Sequence, residues 1–277
     1  MEFRNNGARL LVPDGLDLAA AVARTTHLGI GAHADDLEFM ALHGIFAAYG
    51  RTDRWFGGIT CTDGAGSVAT ESGQALVARR RAEQEEAARI GGYGFIAQLG
   101  YTSAEAKNPA DERLTDDLAD VLSRCRPETV YTHNPADKHE THIAVMARVI
   151  KAIRRLPPHQ RPHRVLGCEV WRDLDWLPDE DKVALDVSAH PDLAARLASV
   201  FASQIEGGKR YDLAVRGREL TNATFSSSHQ ADGPTAVWLA MDLTPLVLDD
   251  HLTIQQFING HLARFKNNVM EKIVSYE

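Results

Sequence analysis

The stretch "LGIGAHADDLEF", residues 28–39, passes from an apolar segment of strand character into His33, Asp35 and Asp36, with only Ala34 between the imidazole and the carboxylates. An apolar run that ends in polar, metal-seeking side chains reads as a buried strand opening on a crevice, because open α/β sheets bind ligands outside the carboxyl ends of their strands. The glycines of "GIGA", 29–32, lack the G-x-G-x-x-G order of a nucleotide site and are followed by acids that would repel a phosphate. They read as positions where the strand packs closely on its neighbours.

Outward from this stretch the same alternation repeats. Residues 15–24 read as a short helix and Leu37 to Tyr49 as another. "RWFGGITCTDG", "YGFIAQLGY" and "ETVYTHN" read as strands, separated by helical segments at 74–91 and at "DERLTDDLADVLSRC", which Pro127 stops. In residues 140–155, Ile143, Met146, Ile150 and Ile153 recur at spacings of three and four and give a helix with one apolar face. Strand and helix alternating over short connections imply a parallel sheet covered on both sides. The expected fold is α/β, a Rossmann-like three-layer arrangement with a mainly parallel sheet over about residues 1–170. An α+β extension over the sheet follows, about 171–277, with strands at "HRVLGCEVW", "KVALDVS" and "AVWLAMDL" and helices at "PDLAARLASVFASQI" and "YDLAVRGRELTNA". No low-complexity linker divides the parts, so residues 1–277 read as a single domain.

A net charge of −8 and a pI near 5.8 argue against a nucleic acid or an anionic membrane as partner, but not against a cation. Cys61, Cys125 and Cys168 are far apart and form no C-x-x-C pair, which points to a reducing, cytoplasmic setting. No signal segment and no run of about 18 apolar residues is present, so no membrane association is expected. A homo-oligomer is compatible with the sequence.

Three predicted strands end in polar residues: "AHADD" at 32–36, "CTDGAGS" at 61–67 and "THNPADKHETH" at 132–142. In a parallel sheet these ends converge. His33, Asp36 and His142 would supply two imidazoles and a carboxylate, a donor set that suits Zn2+ with one position left for water; another divalent ion is possible. Asp35 would stand unligated beside the metal as a general base, and His139 could protonate the leaving group or stabilise the oxyanion. Asp35 or Asp36 also suits a helix N-cap, and His139 the cap of the next helix. "HETHI" is not a zincin helix, since H-E-x-x-H needs a histidine where Ile143 stands. An H-x-D at 33–35 with a further histidine would also fit the two-His, one-carboxylate site of iron oxygenases, typically carried on a jelly roll.

These residues resemble the PIG-L, or LmbE-like, zinc-dependent deacetylases, whose hallmarks are AHPDD after the first strand and a later HxxH; here they read "AHADD" and "HETH". The resemblance implies His33, Asp36 and His142 as ligands to one Zn2+, Asp35 as base and His139 as acid or oxyanion partner. "CTDGAGS" looks like the family's T-D-G turn and "RRAEQEEAARIGGY" like its R-x-x-E helix, which points to Asp63 and Arg80 at the substrate. Arg80 has Gln84 four residues on, whereas Arg79 and Arg81 have Glu83 and Glu85. "FASQI" and "GGKRYD" also look like family segments. Ala34 replaces the usual Pro, which removes a fixed φ between ligand and base. Thr141 replaces the Asp of H-P-D-H, so Asp137 is expected to take over the orientation of His139.

The function this implies is a metal-dependent amide hydrolase that removes an acetyl group from an N-acetylglucosamine-type amino sugar or glycoconjugate. His133, Asn134 and the "SSSHQADG" loop with His229 are further candidates for substrate contact. An inactive, metal-binding sugar-recognition relative is the other class left open.

Overall fold

The computed structural model describes residues 1–66, 72–206, 208–227, 229 and 233–277. Eight strands, β1 (Arg9–Leu11), β2 (His27–Gly31), β3 (Phe56–Thr62), β4 (Phe95–Tyr101), β5 (Thr129–His133), β6 (Arg164–Cys168), β7 (Lys182–Asp186) and β8 (Val237–Asp242), build one sheet in the order β1-β4-β3-β2-β5-β6-β8-β7. The five central strands run parallel. The edge strands β1, β8 and β7 pair antiparallel. The fold is thus the expected mainly parallel α/β sheet with helices on both faces.

Burial on both faces explains why the central strands show no polar alternation. All five residues of β2 are buried. Its glycines permit close approach: a Cβ at Gly29 would stand 2.7 Å from the Phe56 ring, and one at Gly31 would stand 2.9 Å from Cβ of Asp36. On one face Leu114, Leu118 and Val121 of the Arg113–Cys125 helix pack with Val145, Val149 and Ile153 of the Glu140–Arg154 helix. On the other face Leu37, Met40 and Ile45 meet Tyr93, Leu197 and Trp238.

Several elements differ from the sequence reading. The helix expected from Leu37 to Tyr49 is two, Asp36–Met40 and Leu42–Ala48, with Ala41 at φ −108° and ψ 15° between them. Hydrogen bonds from Ala41 N–H to Leu37 and from Ile45 N–H to Ala41 run through the break, so it is a bend in a nearly continuous rod. The segment 191–205 likewise divides at Phe201 into Pro191–Val200 and Ala202–Glu206. The region after residue 170 does more than lie over the sheet, because β7 and β8 extend its edge. The strand β1 and the Ile254–Val274 helix were not foreseen, although Thr253 and Gln256 form a capping box at the start of that helix.

Topology fixes where a ligand can bind. From β2 the chain moves to β3 and β4 on one side, then returns to place β5 and β6 on the other. The carboxyl ends of β2 and β5 therefore flank the switch point of the sheet, where a crevice is unavoidable.

Candidate active site

His33, three residues N-terminal to Asp36, follows β2, and His142 lies in the first turn of the helix after β5. The switch point brings them together. His33 Nδ1 is 3.1 Å from His142 Nε2 and 3.4 Å from Asp36 Oδ2, and His142 Nε2 is 3.5 Å from Asp36 Oδ1. Ligand atoms about 2.1 Å from a tetrahedral zinc lie ~3.4 Å apart, a spacing these donors reach through both Asp36 oxygens; the metal-sized groups here are His33, His139 and His142, and Asp36, His133 and His142, which share His142. The outer partners fit as well. His142 Nδ1–H donates to Asp137 Oδ2 at 3.2 Å, which leaves the Nε2 lone pair directed at the other donors. Burial, then the neighbouring His133, pushes His142 down to about 4, so it is neutral at pH 7 as a metal ligand must be. Burial alone would raise Asp36, but the neighbouring His142 and His133 and the hydrogen bond from His33 N–H at 2.7 Å outweigh it and hold the carboxyl well below its ordinary range.

Asp35 is different in every respect. It is buried, carries φ 87°, and makes no capping hydrogen bond at the start of the Asp36–Met40 helix. The N-cap reading therefore fails for its side chain. A left-handed backbone at a residue with a Cβ is strained, and the strain aims the carboxylate into the cavity instead of along the helix. Burial first, then the charges of Asp36 and Glu38, raises its pKa well above the usual carboxylate value, with Arg80 opposing. Behind it, Glu38 Oε1 accepts from Gln84 Nε2 at 2.8 Å and from the Tyr93 hydroxyl at 2.7 Å, while Oε2 is buried without a partner. Desolvation raises Glu38 to about 7.

The cavity in front of these residues measures about 460 Å³. One wall carries the titratable groups His33, Asp35, Asp36, His139 and His142; another part of the lining is Phe39, Val170, Trp171, Tyr211, Val215 and Trp238. Arg80, in the Gly73–Ile90 helix, reaches the floor and is only 2% exposed. Its guanidinium donates to the Gly64 carbonyl and, at 2.9 Å, to Gln204 Oε1. Arg80 is thus a buried cavity residue and not a solvated surface cation. Three residues on, Glu83 accepts from Ser203 N–H at 2.8 Å and from its hydroxyl at 2.6 Å, so Arg80 and Glu83 together clamp the "FASQI" segment.

Residues 28–153 match the model of the PIG-L family, described as GlcNAc-PI de-N-acetylase. That segment, a little under half of the chain, carries a likeness to the PIG-L family. No curated protein matches the sequence. Among solved structures, it is similar to the 4-carboxy-2-hydroxymuconate hydratase GalB from Pseudomonas putida, with 18% identity, a TM-score of 0.61 and coverage of 79% of this chain and 96% of that one. A conserved protein from Thermus thermophilus is 21% identical at a TM-score of 0.62, over 78% and 94% of the two chains. The N,N'-diacetylchitobiose deacetylase of Pyrococcus horikoshii is 18% identical at 0.60, over 82% and 88%. These likenesses establish the fold. The α/β sheet also removes the jelly roll on which the iron-oxygenase reading relied.

Other expected site residues lie elsewhere. Asp137 does not orient the His139 ring: its Oδ1 accepts the His139 backbone N–H at 3.0 Å, its Oδ2 serves His142, and His139 Nδ1 is buried without a partner. His139 occupies the N-cap position of its helix without a side-chain cap bond, and its ring lines the cavity. His133 and Asn134 are fully buried and do not line it. His133 Nε2 accepts from Ala32 N–H at 2.9 Å and its ring stacks on His142 at 3.8 Å, whereas Asn134 Nδ2 donates to the Cys168 carbonyl at 3.0 Å. Both brace the strand ends. Asp63 accepts from Ala65 N–H at 3.1 Å and shapes the turn, leaving Gly64 and Gly66 to face the cavity. Ser67 of that turn lies outside the described residues, as do residues 228 and 230–232 of the 226–233 loop, whose His229 does not line the cavity. Sequence reasoning missed Glu38, Phe39, Trp171 and Arg218. Gln204 and Tyr211 were signalled only through "FASQI" and "GGKRYD".

Proposed function

We propose that this chain is a zinc-dependent N-deacetylase of the PIG-L type that removes an acetyl group from an N-acetylglucosamine-type amino sugar, free or within a glycoconjugate. The observation that carries the reading is a two-histidine, one-aspartate donor set with a buried, unligated Asp35 at its side. His33, Asp36 and His142 would hold one Zn2+. When bound there, such an ion polarises the acyl carbonyl and makes a water acidic near neutral pH.

The chain's own residues then divide the proton work. Asp35 accepts a proton from the attacking water, and burial beside Asp36 and Glu38 makes it a stronger base than an ordinary carboxylate. The same proton passes from Asp35 to the departing amine. Burial, then His33, lowers His139, so its neutral ring donates a hydrogen bond to the developing oxyanion in preference to acting as the acid. Asp137 fixes the tautomer of His142, and Arg80 binds a polar group of the substrate above Gly64. The three cysteines are free and buried, and among the described residues no helix is long and apolar enough to cross a membrane. Both are consistent with the proposed cytoplasmic enzyme of small-molecule substrates.

The test is acetate release from a panel of N-acetylated amino sugars by zinc-loaded protein, with a chelated control. Chelator-sensitive release from a panel member supports the assignment; a zinc-loaded chain that releases acetate from none of them refutes it.

A further inference from the structure

The aromatic part of the lining offers rings and methyl groups where a bare sugar would need amides and carboxylates. His139 and Trp171 rings lie 6.3 Å apart, Trp171 meets Tyr211 edge-on at 6.1 Å, and Tyr211 meets Phe39 at 6.3 Å, a continuous aromatic series from the donor set across the cavity. Two of the polar groups nearby are engaged: Gln204 serves Arg80 and the Ala34 carbonyl, and Lys107 pairs with Glu140 at 3.3 Å. Ser103, Thr141 and the Tyr211 hydroxyl also line the cavity and can serve the hydroxyls of the sugar itself.

The charge of the cavity is equally specific. Asp35 and Asp36 are its only acids among the described residues, and three cations, Arg80, Lys107 and Arg218, also line it. Arg80 and Arg218 have no carboxylate within ion-pair distance among the described residues. Arg218, on the Tyr211–Thr224 helix, donates one nitrogen to the Val170 carbonyl and lines the cavity with Trp171, whose ring carries Lys209 at 4.9 Å; the charge of Arg218 also reaches the buried Glu169 without an ion pair. In a chain of net charge −8, an arginine so held in a cavity wall suits an oxyanion ligand.

We propose that the substrate carries an apolar ring system next to the N-acyl sugar and, beyond it, an anionic group such as a carboxylate, with Trp171 and Tyr211 covering the ring and Arg218 binding the anion. This names the substrate class for the deacetylase reading above and rests on it.

The experiment compares the phenyl, 4-carboxyphenyl and 4-(methoxycarbonyl)phenyl glycosides of N-acetylglucosamine, with the 4-phosphophenyl glycoside as the other oxyanion. Acetate release by the zinc-loaded chain is followed for each, and binding of the corresponding free amines, which cannot turn over, is measured by calorimetry. The carboxylate is expected to bind about 10- to 100-fold more tightly than its methyl ester, the range of one charge-assisted hydrogen bond. Arg218→Gln should bring that ratio near one, and Arg218→Lys should retain part of it. Equal binding of acid and ester by the wild-type chain overturns the proposal without any variant, as does a preference that survives Arg218→Gln or free N-acetylglucosamine turned over as fast as the aryl glycosides. A phosphate bound more tightly than the carboxylate keeps the anion site and changes its occupant. Selective binding of the acid without acetate release from any glycoside sinks the deacetylase reading while the anion site stands.

Discussion

The two walls of the cavity are built by opposite means. The donor wall comes from three strand ends that a parallel sheet must bring together, each a short local stretch such as "AHADD" or "HETH". The aromatic wall comes from Phe39 before the bend at Ala41, Trp171 after β6 and Tyr211 in a late helix, residues joined only by tertiary packing. On the proposed reading, chemistry is specified by topology and selectivity by packing. Perturbing the first should abolish turnover, whereas perturbing the second should change which substrate is taken.

The largest expected effect tests the first wall. Asp35→Asn should lower kcat by about 10²–10⁴, the usual worth of a positioned base, while zinc content by elemental analysis stays at one per chain. Near-normal turnover in that variant would remove Asp35 from the mechanism. Asp137→Asn leaves all three donors in place but weakens the hold on the His142 tautomer. Zinc affinity in a chelator competition should fall about 10- to 100-fold, and an unchanged affinity would show that Asp137 is merely a cap for the backbone. Trp171→Ala belongs to the second wall: it should raise KM for an aryl glycoside about 5- to 20-fold with kcat nearly constant, and a matching fall in kcat would place the ring in the transition state.

The smallest effect on turnover, but a distinct one on stability, is expected behind the donor wall. Glu38 is raised to about 7 in the folded chain against 4.5 for the ordinary residue, so the folded state holds the extra proton between those values. Its contribution is fully present below pH 4.5 and is lost as pH rises through 7, a loss on the order of 3 kcal/mol for one group. Glu38→Gln keeps an acceptor for Gln84 and Tyr93 and removes the ionisation. Its denaturant midpoint should therefore change less between about pH 4.5 and 8 than that of the wild type; parallel profiles would show that Glu38 is already ionised.

How much of this was legible follows the same division. The parallel core and the convergence of His33, Asp36 and His142 were readable because strand burial and strand-end polarity are local signals. The role of Asp137 was misread because sequence proximity to His139 says nothing about which of two nearby imidazoles a carboxylate reaches. His133 and Asn134 look like site residues in "THNPADKHETH", yet strand alternation and the turn bury them among β6 and the donors. The burial of Arg80 was not legible from i,i+4 logic, since its partners Gly64 and Gln204 lie 16 and 124 residues away. Trp171 and Arg218 gave no signal, because a cavity wall has no periodicity of its own.

The backbone of Asp35 carries a consequence for how the chain must have been selected. Its left-handed φ would suit glycine, and its carboxylate is buried without a cap to make. Replacing it by glycine would relieve strain of order ~1 kcal/mol and remove a desolvated acid, so Asp35→Gly should melt at a higher temperature than the wild type. Position 35 is then a place where the folding optimum and the residue present disagree. A chain selected for durability alone would have discarded this aspartate, and its retention records a demand on the molecule other than standing up.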